Sequence, residues 1–359
     1  MAFINRYKIL FVDRCDGRYI SSEGIGRWLN SSWHICRFFR KNKYQTAILS
    51  SGNNSNYSGG IKLIHATSND PENIAIQIKK LHYNILIISS WPELLYFLKD
   101  HNSKKIIVFR GMRNRDRVLQ FRNVINKHAD AVVAVSSIQA SLLRKCRIEE
   151  RLIEIIPNGI DHKIFKPKKH KINNLFIYIG ALSKDKGSDL LFKCFYLLHK
   201  QGIRIKLIIC GSEKIYGLKG NFFSDRFKKL PNITLKGLVS QRVVANIMKK
   251  ASFCILPTNP SLIFETFSKS IHEAMYMGCL PIVSTSGNLP DVIKDGINGF
   301  VFKNYTEKGL VKKIREILYM DKSQINKIKS NMIKIAKKEI IDWSVVAKKF
   351  LKIIDKISK

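Results

Sequence analysis

Short apolar segments alternate with longer amphipathic ones along most of this chain. In the first half, the segments with the length and composition of buried strands lie at residues 7–12, 44–49, 61–65, 84–89 and 105–109. Helical stretches separate two pairs of them, near residues 71–81 and 91–100. Strands that alternate with helices usually form a parallel sheet that helices cover. The pattern therefore predicts an α/β fold.

The length of the chain predicts two such domains. A single hydrophobic core rarely grows beyond about 250–300 residues, and this chain has 359, of which 45% are hydrophobic. The tract at residues 166–174 is polar, as linkers are, and a new apolar segment opens immediately after it. We expect a first domain over residues 1–168, a second over 169–340, and a last helix within 341–359.

The most informative stretch of the chain is residues 254–283, which reads as a strand, a loop and a helix. The helix is expected to start near Phe267 and to end at Gly278, and another strand opens at Pro281. A helix N-terminus after a parallel strand presents N–H groups and the positive end of the helix dipole. Both features suit a phosphate group.

Two acids lie at this junction, Glu265 in the loop and Glu273 one to two turns into the helix. A phosphate compound that also carries hydroxyl groups for two carboxylates would match this arrangement, and a nucleotide-sugar fits that description. Two glutamates eight positions apart are also what a solvent-exposed amphipathic helix carries. The spacing alone leaves both interpretations open.

The order of residues around these glutamates resembles the signature of the family 4 retaining glycosyltransferases, which have the GT-B fold. The residues that carry the resemblance are Glu265-x7-Glu273, Ala274-Met275 and Gly278-x-x-Pro281. The resemblance implies an α/β, GT-B fold of two Rossmann-like domains that face each other across a cleft. It also implies that the C-terminal helix crosses back to the first domain.

The resemblance implies roles for both glutamates. Glu265 would be a catalytic residue that holds or polarises the donor sugar, and Glu273 would bind the ribose hydroxyls. The amides of residues 267–269 would bind the diphosphate. The donor-binding residues that it implies in this loop are Thr266, Phe267, Ser268 and Lys269.

A second anion site is expected where the second domain opens. Residues 180–187 form a glycine-containing turn, and a helix begins at about Ser188, so the lysine at position 186 stands at a helix start. Family members commonly have an arginine where Ala181 stands. The resemblance therefore implies that Lys186 is the catalytic cation that stabilises the leaving diphosphate. The remaining donor-binding residues that it implies are Gly26, Gly180, Leu238 and Val239.

An arginine-rich stretch follows the strand at residues 105–109. Family members often have a histidine near Arg110, so this chain departs from the pattern, and that departure puts an acceptor-side general base in doubt. Because guanidinium groups pair with phosphate bidentately, we expect an anion site for a phosphorylated or lipid-diphosphate acceptor. A charged helix surface is the alternative. The residues assigned to the anion site are Arg110, Arg113 and Arg115.

The net charge of the chain is formally +36, from 63 Lys and Arg against 27 Asp and Glu. A charge of this size indicates attraction to a polyanion, either nucleic acid or an anionic membrane face. One basic helix, residues 37–43, includes Phe38 and Phe39 and could be interfacial or simply solvated. We expect an anionic membrane surface as the partner and no specific nucleic acid, because no nucleic-acid-binding module is recognisable.

Several absences in the sequence bear on location and chemistry. The sequence predicts no signal peptide, because its first apolar run soon reaches Asp13, and no apolar run approaches the roughly 18 residues of a membrane-spanning helix. The seven cysteines show no metal-ligand spacing, which indicates small core residues in a reducing compartment. No Asp-x-Asp pair ends a strand. We expect a cytoplasmic protein, peripheral on the inner face of the cytoplasmic membrane, with no metal and no cofactor.

These observations predict a retaining glycosyltransferase. It would move a sugar from a nucleoside-diphosphate-sugar to an anionic lipid-linked or lipopolysaccharide-type acceptor in the synthesis of a bacterial envelope polysaccharide. A non-hydrolysing nucleotide-sugar 2-epimerase shares the architecture but needs further acid and base carboxylates, of which the first domain has few. A non-enzymatic polyanion-binding protein would explain the charge but not residues 254–283.

Overall fold

The chain forms two compact units in the computed structural model. One unit contains residues 1–159 together with 342–359, and the other contains residues 160–341. The residues that the structure describes are 7–13, 20–21, 24–25, 29–50, 57–58, 60–110, 115–167, 172–213 and 222–359.

The first unit is built on an eight-stranded sheet with the strand order β10-β9-β8-β7-β1-β4-β6-β5. All neighbouring strands pair in parallel except β5 and β6. Strands β2 and β3 form a separate antiparallel pair. The strands are β1 Lys8–Asp13, β2 Ile20–Ser21, β3 Gly24–Ile25, β4 Gln45–Ser50, β5 Tyr57–Ser58, β6 Ile61–His65, β7 Ile85–Ser89, β8 Lys104–Phe109, β9 Ala131–Ala134 and β10 Ile153–Ile155.

Helices lie in the connections between most strands of the first sheet, and parallel pairing requires such crossovers. The central strands are buried on both faces: all five residues of β7 are buried, as are the last five of β1. Side chains of Asp70 and Ser136 cap two of the helices by accepting from the amides of Asn73 and Gln139. The helices are α1 Leu29–Lys41, α2 Pro71–Lys79, α3 Leu94–Phe97, α4 Arg115–His128 and α5 Ser137–Lys145, and a 3₁₀ turn spans Glu150–Leu152.

Two expectations for these helices need correction. The helix predicted over residues 91–100 is the single turn α3, because turns lie on both sides of it and Glu93 provides no side-chain cap. In α1, Phe39 is fully buried and packs on Phe11 at a ring distance of 6.1 Å. It is therefore a core residue, and α1 does not offer that ring to a membrane.

The second unit contains a six-stranded parallel sheet with the order β13-β12-β11-β14-β15-β16. The strands are β11 Ile172–Ile179, β12 Lys206–Cys210, β13 Ile233–Gly237, β14 Ala251–Leu256, β15 Leu280–Val283 and β16 Phe300–Val301. The helices are α6 Ser188–Lys200, α7 Phe222–Lys228, α8 Gln241–Lys250, α9 Lys269–Tyr276, α10 Leu289–Val292, α11 Glu307–Leu318 and α12 Lys322–Glu339.

A last helix, α13 Trp343–Ile357, belongs to the first unit and packs against α1. Asp342 caps it by accepting from the amide of Ser344 at 2.8 Å. The ring of Trp343 stacks on that of His34, with 5.2 Å between the ring centroids and 3° between the planes. Buried aromatic stacking therefore fixes the start of α13 to the first unit.

The boundary between the units lies at residues 159 and 160 rather than at 168 and 169. Ile160 and Phe165 precede the polar tract, but both side chains are buried in the hydrophobic core of the second unit. Packing therefore assigns residues 160–167 to the second unit, whereas the polar tract marked only a change of composition.

Two further predictions concern the cysteines and the membrane. Among the described residues, Cys36, Cys146, Cys194, Cys210, Cys254 and Cys279 are free and buried. Cys15 lies outside the described residues. No helix within the described ranges combines the length and the apolar character needed to cross a bilayer.

Candidate functional site

Glu265 and Lys186 meet in the second unit, although 79 positions separate them in the chain. Lys186 lies in the turn between β11 and α6, and Glu265 lies in the loop between β14 and α9. The ammonium group of Lys186 donates to Oε1 of Glu265, and the hydroxyl of Thr258 donates to the same oxygen at 3.1 Å. Both residues are less than 10% exposed. The structure brings together the two residues that the sequence assigns to catalysis.

The backbone around Glu265 is held by a neighbouring loop. The amide of Glu265 donates to the hydroxyl of Ser286 at 3.3 Å, and its carbonyl accepts from the amide of Asn288 at 2.7 Å. Gly287 has a φ of +55°, and a Cβ at this position would lie 2.0 Å from the carbonyl oxygen of Glu265. Only glycine allows this approach. These contacts fix the main chain of Glu265, and Lys186 and Thr258 then hold its carboxylate.

The turn that carries Lys186 depends on a second close approach. Gly187 has a φ of +77°, and a Cβ there would lie 1.7 Å from the carbonyl oxygen of Pro257. The hydroxyl of Tyr305 donates to the same carbonyl at 3.0 Å. Burial, with Asp189 and Asp185 nearby, raises the pKa of Tyr305 to about 12. Tyr305 therefore stays protonated and acts as a donor at neutral pH.

Helix α9 begins at Lys269, two residues after the predicted start, with Ser268 as its N-cap residue. The side chain of Ser268 makes no capping hydrogen bond, and no acidic residue lies in the first turn. The backbone donors at this helix start therefore lack the usual side-chain cap. Thr266 is buried and Phe267 is half-buried, immediately before the helix. This segment is the candidate diphosphate-binding segment.

The ring of Phe267 is positioned by His272, one turn into α9. The two rings stack with 4.0 Å between their centroids and 10° between their planes. Burial lowers the pKa of His272, so the imidazole is neutral at pH 7. Its Nδ1 lies 2.6 Å from the carbonyl oxygen of Ser268 and must be the protonated nitrogen, since a carbonyl can only accept. This bond ties the ring to the start of the helix.

Glu273 lies on α9 and is 5% exposed, which excludes the interpretation of a solvated glutamate. The ammonium group of Lys269 lies 3.5 Å from Oε1 of Glu273, one turn away on the same helix. A carboxylate buried to this extent requires a charged or hydrogen-bonding partner. Glu273 is therefore a buried acid on α9, the helix that begins shortly after Glu265.

The remaining residues predicted to bind the donor, as far as the structure describes them, follow the carboxyl ends of strands β11 and β13. Gly180 follows β11, and Leu238 and Val239 follow β13. A Cβ at Gly211, after β12, would lie 1.7 Å from the carbonyl oxygen of Gly180, so these two turns pack backbone to backbone. Because carboxyl ends of parallel strands share one edge of a sheet, all these residues lie along the edge that also carries Lys186 and Glu265. Gly26 lies outside the described residues.

Arg110 follows β8 at the corresponding edge of the first sheet. Its guanidinium donates to the side chain of Asn158 at 3.3 Å and to the hydroxyl of Ser32 at 3.2 Å. Burial lowers the pKa of Arg110, and the nearby carboxylate of Asp13 opposes that effect. Arg113 lies outside the described residues. Arg115 is the first residue of α4, and its side chain is not among the described ones.

Sequence reasoning assigned no role to Asp13, which ends strand β1 and is 2% exposed. Burial raises the pKa of its carboxyl group, while the guanidinium of Arg110 and the hydroxyls of Ser89 and Ser32 lower it. An acid that directly follows a run of buried strand residues is a signal that could have identified it. Asp13 and Arg110 form a buried polar group at the carboxyl edge of the first sheet.

A cavity of about 280 Å³ lies at the other edge of that sheet, at the amino ends of β8 and β9. Its lining includes Lys99, Lys104, Lys105 and Lys127. Lys105 donates to the carbonyl oxygens of residues 101 and 103, so that lysine has a structural role. No group of three or more His, Cys, Asp or Glu side chains with the arrangement of a metal site occurs in the described ranges.

Two family models match the chain. The model described as Glycosyl transferases group 1 matches residues 160–339, and the model described as Glycosyltransferase Family 4 matches residues 59–164. Among curated proteins, an uncharacterized glycosyltransferase of Methanocaldococcus jannaschii is 25% identical over 78% of this chain and 72% of its own length. The lipopolysaccharide 1,2-N-acetylglucosaminetransferase of Salmonella typhimurium is 25% identical over 56% of this chain and 57% of its own length.

The fold is similar to that of solved structures along almost the whole chain. The crystal structure of HepE from Anabaena in complex with UDP and glucose aligns with a TM-score of 0.78 at 14% identity. The alignment covers 98% of this chain and 100% of that one. The two parallel-sheet units are therefore the two Rossmann-like domains of a GT-B fold, as the resemblance implied.

Proposed function

Because this chain belongs to the group 1, family 4 glycosyltransferases, we propose that it is a retaining enzyme that glycosylates a lipid-linked or lipopolysaccharide-type acceptor. The chain is a glycosyltransferase whose co-substrate is a nucleotide-sugar, without a further cofactor. The proposal extends this to the stereochemistry, the acceptor and the residues that perform the reaction.

The observation that carries the proposal is the buried contact between Lys186 and Glu265. In the reaction, the bond between the anomeric carbon of the sugar and the diphosphate oxygen breaks, and the acceptor oxygen bonds to the same face of that carbon. The acceptor proton leaves with the diphosphate. Negative charge grows on the diphosphate as the bond breaks, and a preorganised ammonium group stabilises that charge. We assign this role to Lys186 and the positioning of the sugar to Glu265.

The start of α9 supplies the other contacts in the proposed donor site. Amides of residues 267–269 would bind the diphosphate, because the helix start provides donors and the positive end of the dipole. The carboxylate of Glu273 would accept from the ribose hydroxyls. With these groups and Lys186 available to neutralise the diphosphate, we propose that the reaction requires no metal ion.

The acceptor is proposed to be anionic and to be reached at the inner face of the cytoplasmic membrane. The net charge of +36 favours an anionic partner, and Arg110 is the described cation of the first unit that would meet it. The similarity to a lipopolysaccharide N-acetylglucosaminetransferase supports a glycan acceptor of an envelope polysaccharide. Asp13, beside Arg110, would accept from a hydroxyl group of that acceptor.

Transfer of labelled sugar tests the proposal. The full chain is incubated with radiolabelled UDP-, GDP- or CDP-linked sugars and bacterial membrane lipids, with either magnesium or a chelator present. We expect one donor to label the lipid fraction equally in both conditions, and the Glu265→Gln variant to label it at least about 100-fold more slowly. Equal labelling by Glu265→Gln would overturn the site, and strict dependence on magnesium would overturn metal independence.

A further inference from the structure

Aromatic side chains are exposed on the outer surface of helices α6 and α7. Tyr196 on α6 is 40% exposed and Phe222 on α7 is 61% exposed. The ring of Phe192 lies between the two helices and stacks on that of Tyr196 with 6.1 Å between their centroids. Large apolar side chains that cluster on a surface usually mark an interaction site.

Arg226 organises this cluster. Its guanidinium lies 4.3 Å from the ring centroid of Phe192 and 5.3 Å from that of Phe222. Nη1 of Arg226 also donates to Oδ1 of Asp189 at 2.6 Å, which connects α7 to the first turn of α6. Since one cation contacts both rings, the rings form a fixed group.

Basic side chains surround the rings. On α6, α7 and the residue that follows, the cations are Lys193, Lys200, Arg226, Lys228 and Lys229, and the acids are Asp189 and Asp225. Both acids already pair with cations, Asp189 with Arg226 and Asp225 with Lys228. Five cations against two carboxylates leave a net charge of +3 on this surface, which we term the α6–α7 face.

The neighbouring helix α11 is also mainly basic on its exposed side. It packs against α6 and exposes Lys308, Lys312 and Arg315 together with one acid, Glu316, which pairs with Lys313. Tyr319 follows the end of α11 and is 75% exposed.

We propose that the α6–α7 face docks this protein on an anionic phospholipid surface. Exposed aromatic rings settle at the level of the headgroups, and lysines around them pair with the lipid phosphates. This inference rests on the proposed function, because docking through the α6–α7 face would hold the enzyme at the membrane, where a lipid-linked acceptor is found. Of the two aromatic residues noted in the basic helix α1, Phe39 is buried in the core and Phe38 is half-buried.

The geometry favours lipid over nucleic acid. Single-stranded nucleic acid binds to basic surfaces by stacking its bases on open aromatic faces. Here Arg226 and Tyr196 both lie over the ring of Phe192, and Arg226 lies over Phe222 as well. Each of the two exposed rings thus has one face against a neighbour, Tyr196 against Phe192 and Phe222 against Arg226, and offers its edge to the headgroup region.

Vesicle co-sedimentation of the full chain tests the inference. The vesicles are phosphatidylcholine alone, or phosphatidylcholine with 30% phosphatidylglycerol as a chosen test composition, at about 0.15 M salt. We compare the wild type with Tyr196→Ser/Phe222→Ser and with Lys193→Gln/Lys229→Gln. The matched controls are Tyr96→Ser, an exposed tyrosine on α3, and Lys334→Gln/Lys338→Gln, exposed lysines on α12.

We expect the wild type and both controls to bind the anionic vesicles, and the neutral vesicles to bind little protein. Each lysine near a membrane surface changes the partition coefficient about fivefold, so the lysine pair should lower it by at least about tenfold. Removal of the two rings should lower it by about tenfold, because less apolar surface enters the interface.

Several outcomes would overturn the inference. One is that the wild type binds neither kind of vesicle, and another is that the control variants lose as much binding as the variants of the α6–α7 face. Unchanged binding by Tyr196→Ser/Phe222→Ser would also overturn it. A ring variant that loses binding to single-stranded DNA but keeps binding to vesicles would identify a nucleic-acid surface instead. The midpoint shift with UDP, GDP or CDP, measured on every variant, separates this test from the proposed function, since it reports the donor site alone.

Discussion

The contact between Lys186 and Glu265 is a nearly buried ion pair, and its two members depend on each other. Both side chains are 11% exposed. Removing one partner of such a pair leaves a poorly solvated charge, which costs more than the pair itself contributes. The pair therefore couples stability to catalysis at the level of single residues.

A double-mutant cycle tests this coupling. We expect Glu265→Gln to lower the free energy of unfolding by about 3 kcal/mol, because Lys186 stays charged and nearly buried. Lys186→Met should be similar, whereas the double variant should recover most of the loss while remaining inactive. Urea unfolding measures the cycle. Strictly additive losses would contradict the coupling.

Asp13 gives a prediction about pH. Its pKa is raised in the folded protein, so its contribution favours folding below its ordinary value of 3.8 and is lost as pH rises through the raised value. The stability of Asp13→Asn relative to the wild type should therefore rise between pH 3.5 and pH 7, whatever the loss of the carboxylate beside Arg110 costs in itself. Urea unfolding of both proteins at both pH values measures this, with Asp291→Asn, an exposed acid, as control. A relative stability of Asp13→Asn that falls between pH 3.5 and pH 7 would contradict the burial argument.

The candidate site depends on the close approach of three loops, which follow strands β11, β14 and β15. Gly287 and Gly187 both have positive φ and contact the backbone of the β14–α9 loop. A side chain at either position would displace that loop. Two glycines therefore determine where Glu265 and Lys186 lie.

Alanine substitutions at Gly287 and at Gly202, a glycine outside the site, separate the cost of backbone strain from the cost of a steric collision. Gly202→Ala changes a glycine with φ of +70° that has nothing within 4 Å of a Cβ, so it should cost only the backbone strain, about 1 kcal/mol. Gly287→Ala should cost more stability and slow sugar transfer, because its Cβ would collide with the carbonyl of Glu265. Thermal unfolding and transfer assays measure both. Equal effects of the two substitutions would contradict the proposed role of Gly287.

The elements near the site were predictable to different degrees. Strand β14, the buried Glu273 and the end of α9 near Gly278 follow from apolar runs and a motif that lie close together in the sequence. The support of Glu265 by Ser286 was not predictable, because Ser286 lies on a separate loop and has no pattern of its own. The exposed rings of Tyr196 and Phe222 were not predicted either. A local sequence pattern does not show which side of a helix is exposed to solvent.

At the scale of the whole molecule, the sequence predicted two α/β domains, and the structure shows two parallel-sheet units. Length and alternation suffice for that conclusion. They do not locate the boundary, which packing of Ile160 and Phe165 determines. The strand order was also beyond the sequence, because central strands such as β1 and β7 have similar apolar compositions and only their contacts distinguish neighbours.

The net charge of +36 is a property of the whole chain and selects no surface by itself. The structure shows that one part of that charge surrounds exposed aromatic rings on α6 and α7, in the unit that also contains the candidate donor site. Vesicle co-sedimentation tests the proposed membrane attachment, and thermal unfolding with nucleoside diphosphates tests donor binding, so the two proposals are tested separately on the same protein.

We propose that the edge of the second sheet near Lys186, Glu265 and α9 binds a nucleoside diphosphate. Thermal unfolding of the full chain with UDP, GDP or CDP tests this most directly, because a ligand that binds only the folded state adds about 2.7 kcal/mol at a hundred times its dissociation constant. We predict that one of the three raises the midpoint and that Glu273→Ala abolishes the shift, while Glu72→Ala, an exposed glutamate of α2, retains it. No shift with any of the three, or an undiminished shift in Glu273→Ala, would show that this edge of the sheet is not the donor site.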